Sequence, residues 1–191
     1  MRYHPAGFAK FPGTEAPNRA WLEWTGGGGA AAFTISFWVR LPSWNQGGFQ
    51  GLYTNVEPGS FDYQIDLNGD TVRALSDPGV NISGSTLGNA VDTWYHIVLR
   101  KGGGGNQSKL YVTPIGAGSV NFIGDDALNL GGLQAMRLGV NRNRDSLAEM
   151  DLANVQIYDD ATVDLNTLLA EGPDLNPVLE WDPADDDDGG A

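Results

Sequence analysis

Residues 63–76 read YQIDLNGDTVRALS, and the five in the middle, Asp66 to Asp70, decide what kind of molecule this is. Oxygen-bearing side chains at alternate positions (Asp66, Asn68, Asp70) are how a calcium-binding EF-hand loop begins, because a hard cation gathers several oxygens around one point. Such a loop also needs glycine at its sixth position and glutamate at its twelfth. Here those places hold Thr71 and Asp77, and the flanks carry strand rather than helix patterning. The competing reading is a β-hairpin, since Asn-Gly is the pair favoured where both central turn residues need positive φ. With Asn68–Gly69 as the turn, Leu67 faces Asp70, Asp66 faces Thr71, Ile65 faces Val72, Gln64 faces Arg73 and Tyr63 faces Ala74. Tyr63, Ile65, Val72 and Ala74 then share one side, and Gln64, Asp66, Thr71 and Arg73 the other. A three-residue loop would set Ile65 against Arg73 and destroy that sorting. The stretch is a hairpin in a sheet.

The neighbouring segments follow the same grammar. In FTISFWVR (33–40), Phe33, Ile35, Phe37 and Val39 fall on one face and Thr34, Ser36, Trp38 and Arg40 on the other. WYHIVLRK (94–101) sets Tyr95, Ile97 and Leu99 against Trp94, His96, Val98 and Arg100. Further strands are expected at 21–24, 51–56, 108–114, 119–123, 135–140, 150–158 and 177–181. Glycine runs at 26–29 and 102–105 join such segments and lack the lysine and the helix that a phosphate loop requires. One helix is expected over 162–172, with Thr162 or Asp164 as its cap, a stripe of Val163, Leu165, Leu168 and Leu169, and Gly172–Pro173 as its end. Many short strands with glycine-rich turns and almost no helix define an all-β sandwich.

The 191 residues suit one domain that buries about 70% of its unfolded surface. We assign residues 1–182 to that domain and 183–191, with four consecutive aspartates, to a solvated acidic tail. There is no cysteine, which removes disulfides and thiolate chemistry, and His4 and His96 stand far apart, so no transition-metal site is expected. A net charge of −13 and only eleven Lys and Arg argue against nucleic acid as a partner. No stretch approaches about 18 apolar residues, so no membrane insertion is expected, and the first residues read as leaderless.

The order of these segments resembles a known group. FTISFWVRLPSW, the hairpin, DTWYHIVLRKGG, SKLYV, MRLGVNR and EMDLANVQIYDDATVDLNTLLAEG resemble, over about residues 8–182, the laminin G-like, concanavalin A-like lectin/glucanase superfamily. The resemblance implies a jelly-roll β-sandwich of two antiparallel sheets with one short C-terminal helix. It implies binding of glycans, proteins or surfaces, often with calcium, and in one branch hydrolysis of β-glucans. Calcium (Ca2+) is therefore the one cofactor left open. Its ligands stay unassigned, because Asp125–Asp126 and Asp159–Asp160 are adjacent pairs that point to opposite faces of a strand.

The hydrolytic branch uses E-x-D-x-x-E, since a retaining glycosidase needs two carboxyls about 5–5.5 Å apart. EMDLAN (149–154) supplies Glu149 and Asp151 but has Asn154 in place of the second glutamate, and an amide cannot donate and recover the proton. The expected reading is no enzyme, with Asp151 anchoring a strand end and Glu149 facing solvent. A glycan site needs an aromatic platform with polar groups around it, for which the candidates are Trp44, Tyr53 and the run Asn141, Arg142, Asn143, Arg144, Asp145. Trp21, Trp24, Trp38, Trp94 and Trp181 are expected to pack inside strands, and the sequons at Asn81 and Asn106 to lie in loops. The leading expectation is a surface-recognition module. It would decorate a virion or other large particle or act in its adhesion fibres, at a virion or extracellular surface, with capsid or fibre subunits and cell-surface polysaccharide as partners. The alternatives are a free calcium-dependent carbohydrate-binding lectin and a degenerate β-glucanase-like hydrolase.

Overall fold

Alternation at 33–40 and 94–101 places large apolar side chains on both faces of two adjacent strands, and the remainder of the chain is arranged to cover them. The computed structural model describes residues 8–12, 22–24, 29–43, 49–55, 63–69, 71–76, 80–85, 90–102, 108–126, 132–140, 148–173 and 177–179. In chain order the elements are β1 (Phe8–Pro12), β2 (Leu22–Trp24), β3 (Phe33–Arg40), β4 (Phe49–Asn55), β5 (Tyr63–Asn68), β6 (Thr71–Ser76), β7 (Val80–Ser85), β8 (Trp94–Lys101), β9 (Ser108–Pro114), β10 (Phe122–Asp126), β11 (Met136–Leu138), β12 (Glu149–Tyr158), α1 (Leu165–Glu171) and β13 (Pro177–Leu179). They build a seven-stranded sheet, β10-β9-β8-β3-β12-β1-β13, and a six-stranded sheet, β2-β11-β4-β5-β6-β7. Pairing is antiparallel except where β13 joins β1 in parallel at the edge. This is the expected jelly-roll sandwich.

Between the sheets, Phe33, Ile35, Phe37, Val39, Ile97, Leu99, Leu152 and Ile157 meet Leu52, Ile65, Leu67, Val72, Ala74, Ile82 and Met136. Each such side chain contributes roughly 1.5–3 kcal/mol by leaving water. Strand β12 keeps its apolar side inward only through a bulge: Ala153 faces Trp38 and Gln156 faces Ser36, so Asn154 and Val155 together oppose Phe37. Asn154 adopts φ 51 there, and both Leu152 and Val155 reach the core.

The second face of the seven-stranded sheet is covered by α1. Leu169 packs with Trp38, Trp94 and Ala153, while Leu165 and Leu168 pack with Val98. The helix begins three residues later than expected because Thr162 gives its N–H to Asp160 Oδ1 at 2.7 Å. Asp164 is the cap instead, accepting from Asn166 N at 3.0 Å and Thr167 Oγ1 at 2.8 Å. At the other end Gly172 turns at φ 69, the left-handed region where glycine is favoured.

Three expectations are corrected. The hairpin register is not that of an Asn68–Gly69 turn: Asn68 pairs with Thr71, Ile65 with Ala74 and Asp66 with Arg73. The shift changes each residue's partner by two positions, so every side chain keeps its face. Its physical reason is the pair it creates, Arg73 Nε to Asp66 Oδ1 at 2.8 Å and Nη2 to Oδ2 at 2.7 Å, with Gln64 Nε2 on Oδ2 at 2.8 Å. Second, Asn81 belongs to β7 rather than to a loop, and β1 is a further strand that the pattern did not announce. Third, β10 starts at Phe122, because Asn121 closes a turn by giving its N–H to Thr113 Oγ1 and its amide to Val112 O. A Cβ on Gly124 would come 3.0 Å from Ile82 Cγ2, so β10 lies directly against β7 and closes that side of the sandwich.

Asp66 is fully buried and Arg73 is 8% exposed. Burial pushes the Asp66 carboxyl above its ordinary range and outweighs the opposing pull of Arg73 and Gln64. Removing one member should therefore hurt more than removing both. Arg73→Met is expected to lower unfolding free energy by about 3–5 kcal/mol, and Asp66→Leu combined with Arg73→Met to recover most of that loss in urea denaturation.

Candidate functional site at the loop end of the sandwich

Strand direction decides where function can be placed. β3 ends at Arg40, whose partners are Trp94 at the start of β8 and Asp151 near the start of β12. Pro12 ends β1 opposite Glu149, and Leu138 ends β11 opposite Leu22. Gly139 N donates to Leu52 O at 2.9 Å and Ala148 N to Gly139 O at 3.2 Å, which ties this end of one sheet to the same end of the other. The strand ends flanking β1–β2, β3–β4, β5–β6, β7–β8, β9–β10 and β11–β12 accordingly gather at one end of the molecule.

A cross-strand row of Trp94, Arg40 and Asp151 stands at this end, at the edge of the face that α1 covers: Trp94 is buried against Leu169, and Arg40 and Asp151 lie beside it. Arg40 Nε donates to Asp151 Oδ2 at 2.7 Å and Nη2 reaches the same oxygen. The guanidinium carbon lies 5.3 Å from the Trp94 ring centroid, a cation–π contact. The Arg40 and Asp151 side chains are 36% and 16% exposed, and Glu149, two residues before Asp151 on the same face, is exposed. Val91 at 52% and Ile115 at 47% exposure flank the row on neighbouring turns. Those turns are pinned by Asp92 N to Leu41 O at 2.9 Å, Ile115 N to Trp94 O at 2.9 Å and Ala90 N to the Tyr95 hydroxyl at 3.1 Å. The row thus offers a guanidinium donor, carboxylate acceptors and apolar edges, a set suited to polyhydroxylated ligands.

The same strand bears on hydrolysis. Asn154 occupies the place of the second glutamate, and its Nδ2 donates to Gly172 O at 2.6 Å, tying the end of α1 to β12. Asp151 is held by Arg40 as a strand anchor, and this strand carries no second glutamate to serve as acid/base.

Of the residues proposed from sequence, Tyr53 lies in the core with no exposed surface, in register with Leu138 and Ile65. Its ring helps to fill the sandwich, because the β4 register shift around Leu52 turns both Leu52 and Tyr53 inward. Trp44, Asn141, Arg142, Asn143, Arg144 and Asp145 fall outside the described residues. Arg40, Trp94, Asp151 and Glu149 were visible as single letters, but their union depends on the register between three strands. Among the described residues no three His, Asp or Glu converge as a metal site, and Asp160, whose carboxylate is held below the usual range by the Thr162 N–H and hydroxyl, is already engaged.

A family-level comparison matches residues 20–164 to the Concanavalin A-like lectin/glucanases superfamily. The chain belongs to that superfamily. Curated protein sequences returned no match. Among solved structures, this superfamily member is similar to a heptameric SAP-like pentraxin from Limulus polyphemus, with TM-score 0.60 and 14% identity over 84% of this chain and 78% of that one. It is also similar to a tailspike protein of an Escherichia coli bacteriophage, with TM-score 0.55 and 17% identity over 83% of this chain and 24% of that one. A third is the Trypanosoma rangeli sialidase in complex with sialic acid, with TM-score 0.50 and 20% identity over 83% of this chain and 28% of that one. The chain thus spans about a quarter of the tailspike and of the sialidase. Such identities establish the shared lectin-like jelly roll, on which different activities are carried.

The bulge provides a direct check of this geometry. Asn154→Ala loses the bond to Gly172 and is strained at φ 51. It is expected to cost about 2 kcal/mol, whereas Asn154→Gly, relaxed at that φ, should cost about 1 kcal/mol less, as read by urea denaturation.

Proposed function

We propose that this domain is a non-catalytic surface-recognition module that binds glycan at the loop end, around Arg40, Asp151, Glu149 and Trp94. The observation that carries the reading is that, among the described residues, six pairs of strand ends gather where Arg40, Asp151 and Glu149 are partly or fully exposed beside the buried Trp94 indole. Asn154 in place of a second glutamate favours binding over hydrolysis, although a sialidase shares the fold. We further propose that the domain works as a decoration or adhesion component of a virion or comparable particle. The shared fold of the phage tailspike supports this, as does a net charge of −13 that favours solubility on a crowded surface.

Glycan-array binding of the full chain, with calcium and with chelator, tests the reading. Retained folding with at least about tenfold weaker binding in Arg40→Ala, a loss of about 1.4 kcal/mol, is the expected outcome. Hydrolysis of β-glucan that disappears in Glu149→Gln would overturn the non-catalytic reading. A free monomer in its native source, sized by sedimentation and binding glycan only with calcium, would overturn the particle reading.

A further inference from the structure

We propose that α1 is a proton-released cover: neutral His96 keeps it closed over the seven-stranded sheet, and protonation of that ring frees the helix and uncovers Trp38 and Trp94. The inference is independent of the glycan reading. His96 lies mid-face, the cross-strand partner of Trp38 on one side and of Thr113 on the other, and has no exposed surface. Its Nε2 is 2.7 Å from Ser36 Oγ, its ring stacks on Trp38 at 5.0 Å and 21°, and its Nδ1 has no hydrogen-bond partner. An imidazolium carries N–H on both nitrogens, so its Nδ1–H would be buried without an acceptor.

Among the described residues no packed element supplies a free counter-charge. β3 brings Ser36, Trp38 and a cation, Arg40; β8 brings Trp94, Val98 and Arg100, whose guanidinium is bonded to Val163 O. β9 brings Thr113, Tyr111 and Lys109, with Thr113 Oγ1 already accepting from Asn121. β12 brings Gln156, Tyr158 and Asp151, the last held by Arg40. From α1 come three leucines and Glu171, whose carboxylate accepts from Gln156 Nε2 at 2.5 Å. The Trp38 face attracts a cation weakly, and burial outweighs it, lowering the ring to about 4.

The helix can leave without opening the sandwich. The apolar cluster between the sheets contains none of the side chains beneath α1, which form two clusters of their own. Seven residues do not make a helix that persists alone, so its docking depends on those contacts and on a few hydrogen bonds such as Asn154 to Gly172 O and Val120 N to Asn166 Oδ1. With a closed-state value of about 4 against an ordinary 6.5, the released form takes up the proton first. Docking is therefore complete above pH 6.5 and weakens by about tenfold per unit as pH falls toward 4, about 300-fold in all.

Hydrogen exchange of the full chain between pH 7.5 and 4, corrected for intrinsic rates, tests this. Amides of 165–171 are expected to lose protection about tenfold per unit below 6.5 while those of β3, β8 and β12 hold, with tryptophan fluorescence shifting in step. His96→Phe should abolish the dependence. Should that variant not fold, the His96 ring resonance, assigned in His4→Gln, decides: a midpoint near 6.5 with unchanged α1 protection overturns the proposal, and one well below it that tracks α1 supports it. Simultaneous loss of protection in α1 and the core strands also overturns it.

Discussion

The constraint from which the architecture follows is that β3 and β8 are buried on both faces. Phe33, Ile35, Phe37 and Val39 require one cover, and Trp38, with Trp94 and Val98 beside it, requires another. The six-stranded sheet supplies the first and α1 the second, which explains why a chain almost without helix places its one short helix where it does. A strand buried on both sides also fixes register strongly, because a slip by one residue would exchange the two sets of contacts.

That double burial also explains which parts of the molecule were legible as letters. Alternation marked β3, β8 and β9 within a residue of their observed limits, and the leucine stripe marked α1, because in each case the buried face repeats with a simple period. The elements that escaped are β1, next to the edge of its sheet, and β7, at the edge of the other, and neither carries a strong pattern of its own. The hairpin was legible as a hairpin but not as a register. Local turn preference favours Asn68–Gly69, and the pairing of the buried Asp66 carboxylate with Arg73 across the hairpin overrides it. Turn propensity contributes tenths to about 1 kcal/mol, whereas an unpaired buried charge costs several.

The candidate site was less legible than the fold for a related reason. Its members come from three strands, and each alone looks like strand grammar: Arg40 as a polar residue closing an alternation, Trp94 as a packing aromatic, Asp151 as an anchor. Only the register of β8, β3 and β12 places them side by side. Tyr53 shows the opposite failure. In the sequence it reads as a polar contact for a glycan, yet the irregular pairing of β4 turns it inward beside Leu52.

Among the described residues, the middle of one broad face of the sandwich is covered and the other carries a buried polar layer. On the seven-stranded sheet the cover is α1. On the outer side of the six-stranded sheet, Thr54, Asp66, Arg73 and Arg137 form a polar layer whose members are all less than a tenth exposed. Asp66 there is matched to Arg73 and Gln64, and a ligand could reach it only by breaking those bonds, at a cost of about 1–3 kcal/mol for each group left unsatisfied. The end where the connections gather carries no such penalty: Arg40 is partly exposed, Glu149 is exposed, and the turns beside them present Val91 and Ile115 to solvent. An exposed row at the end and rigidity in the sheet are thus two consequences of the same packing, since β3, β8 and β12, which anchor the row, are buried along most of their length.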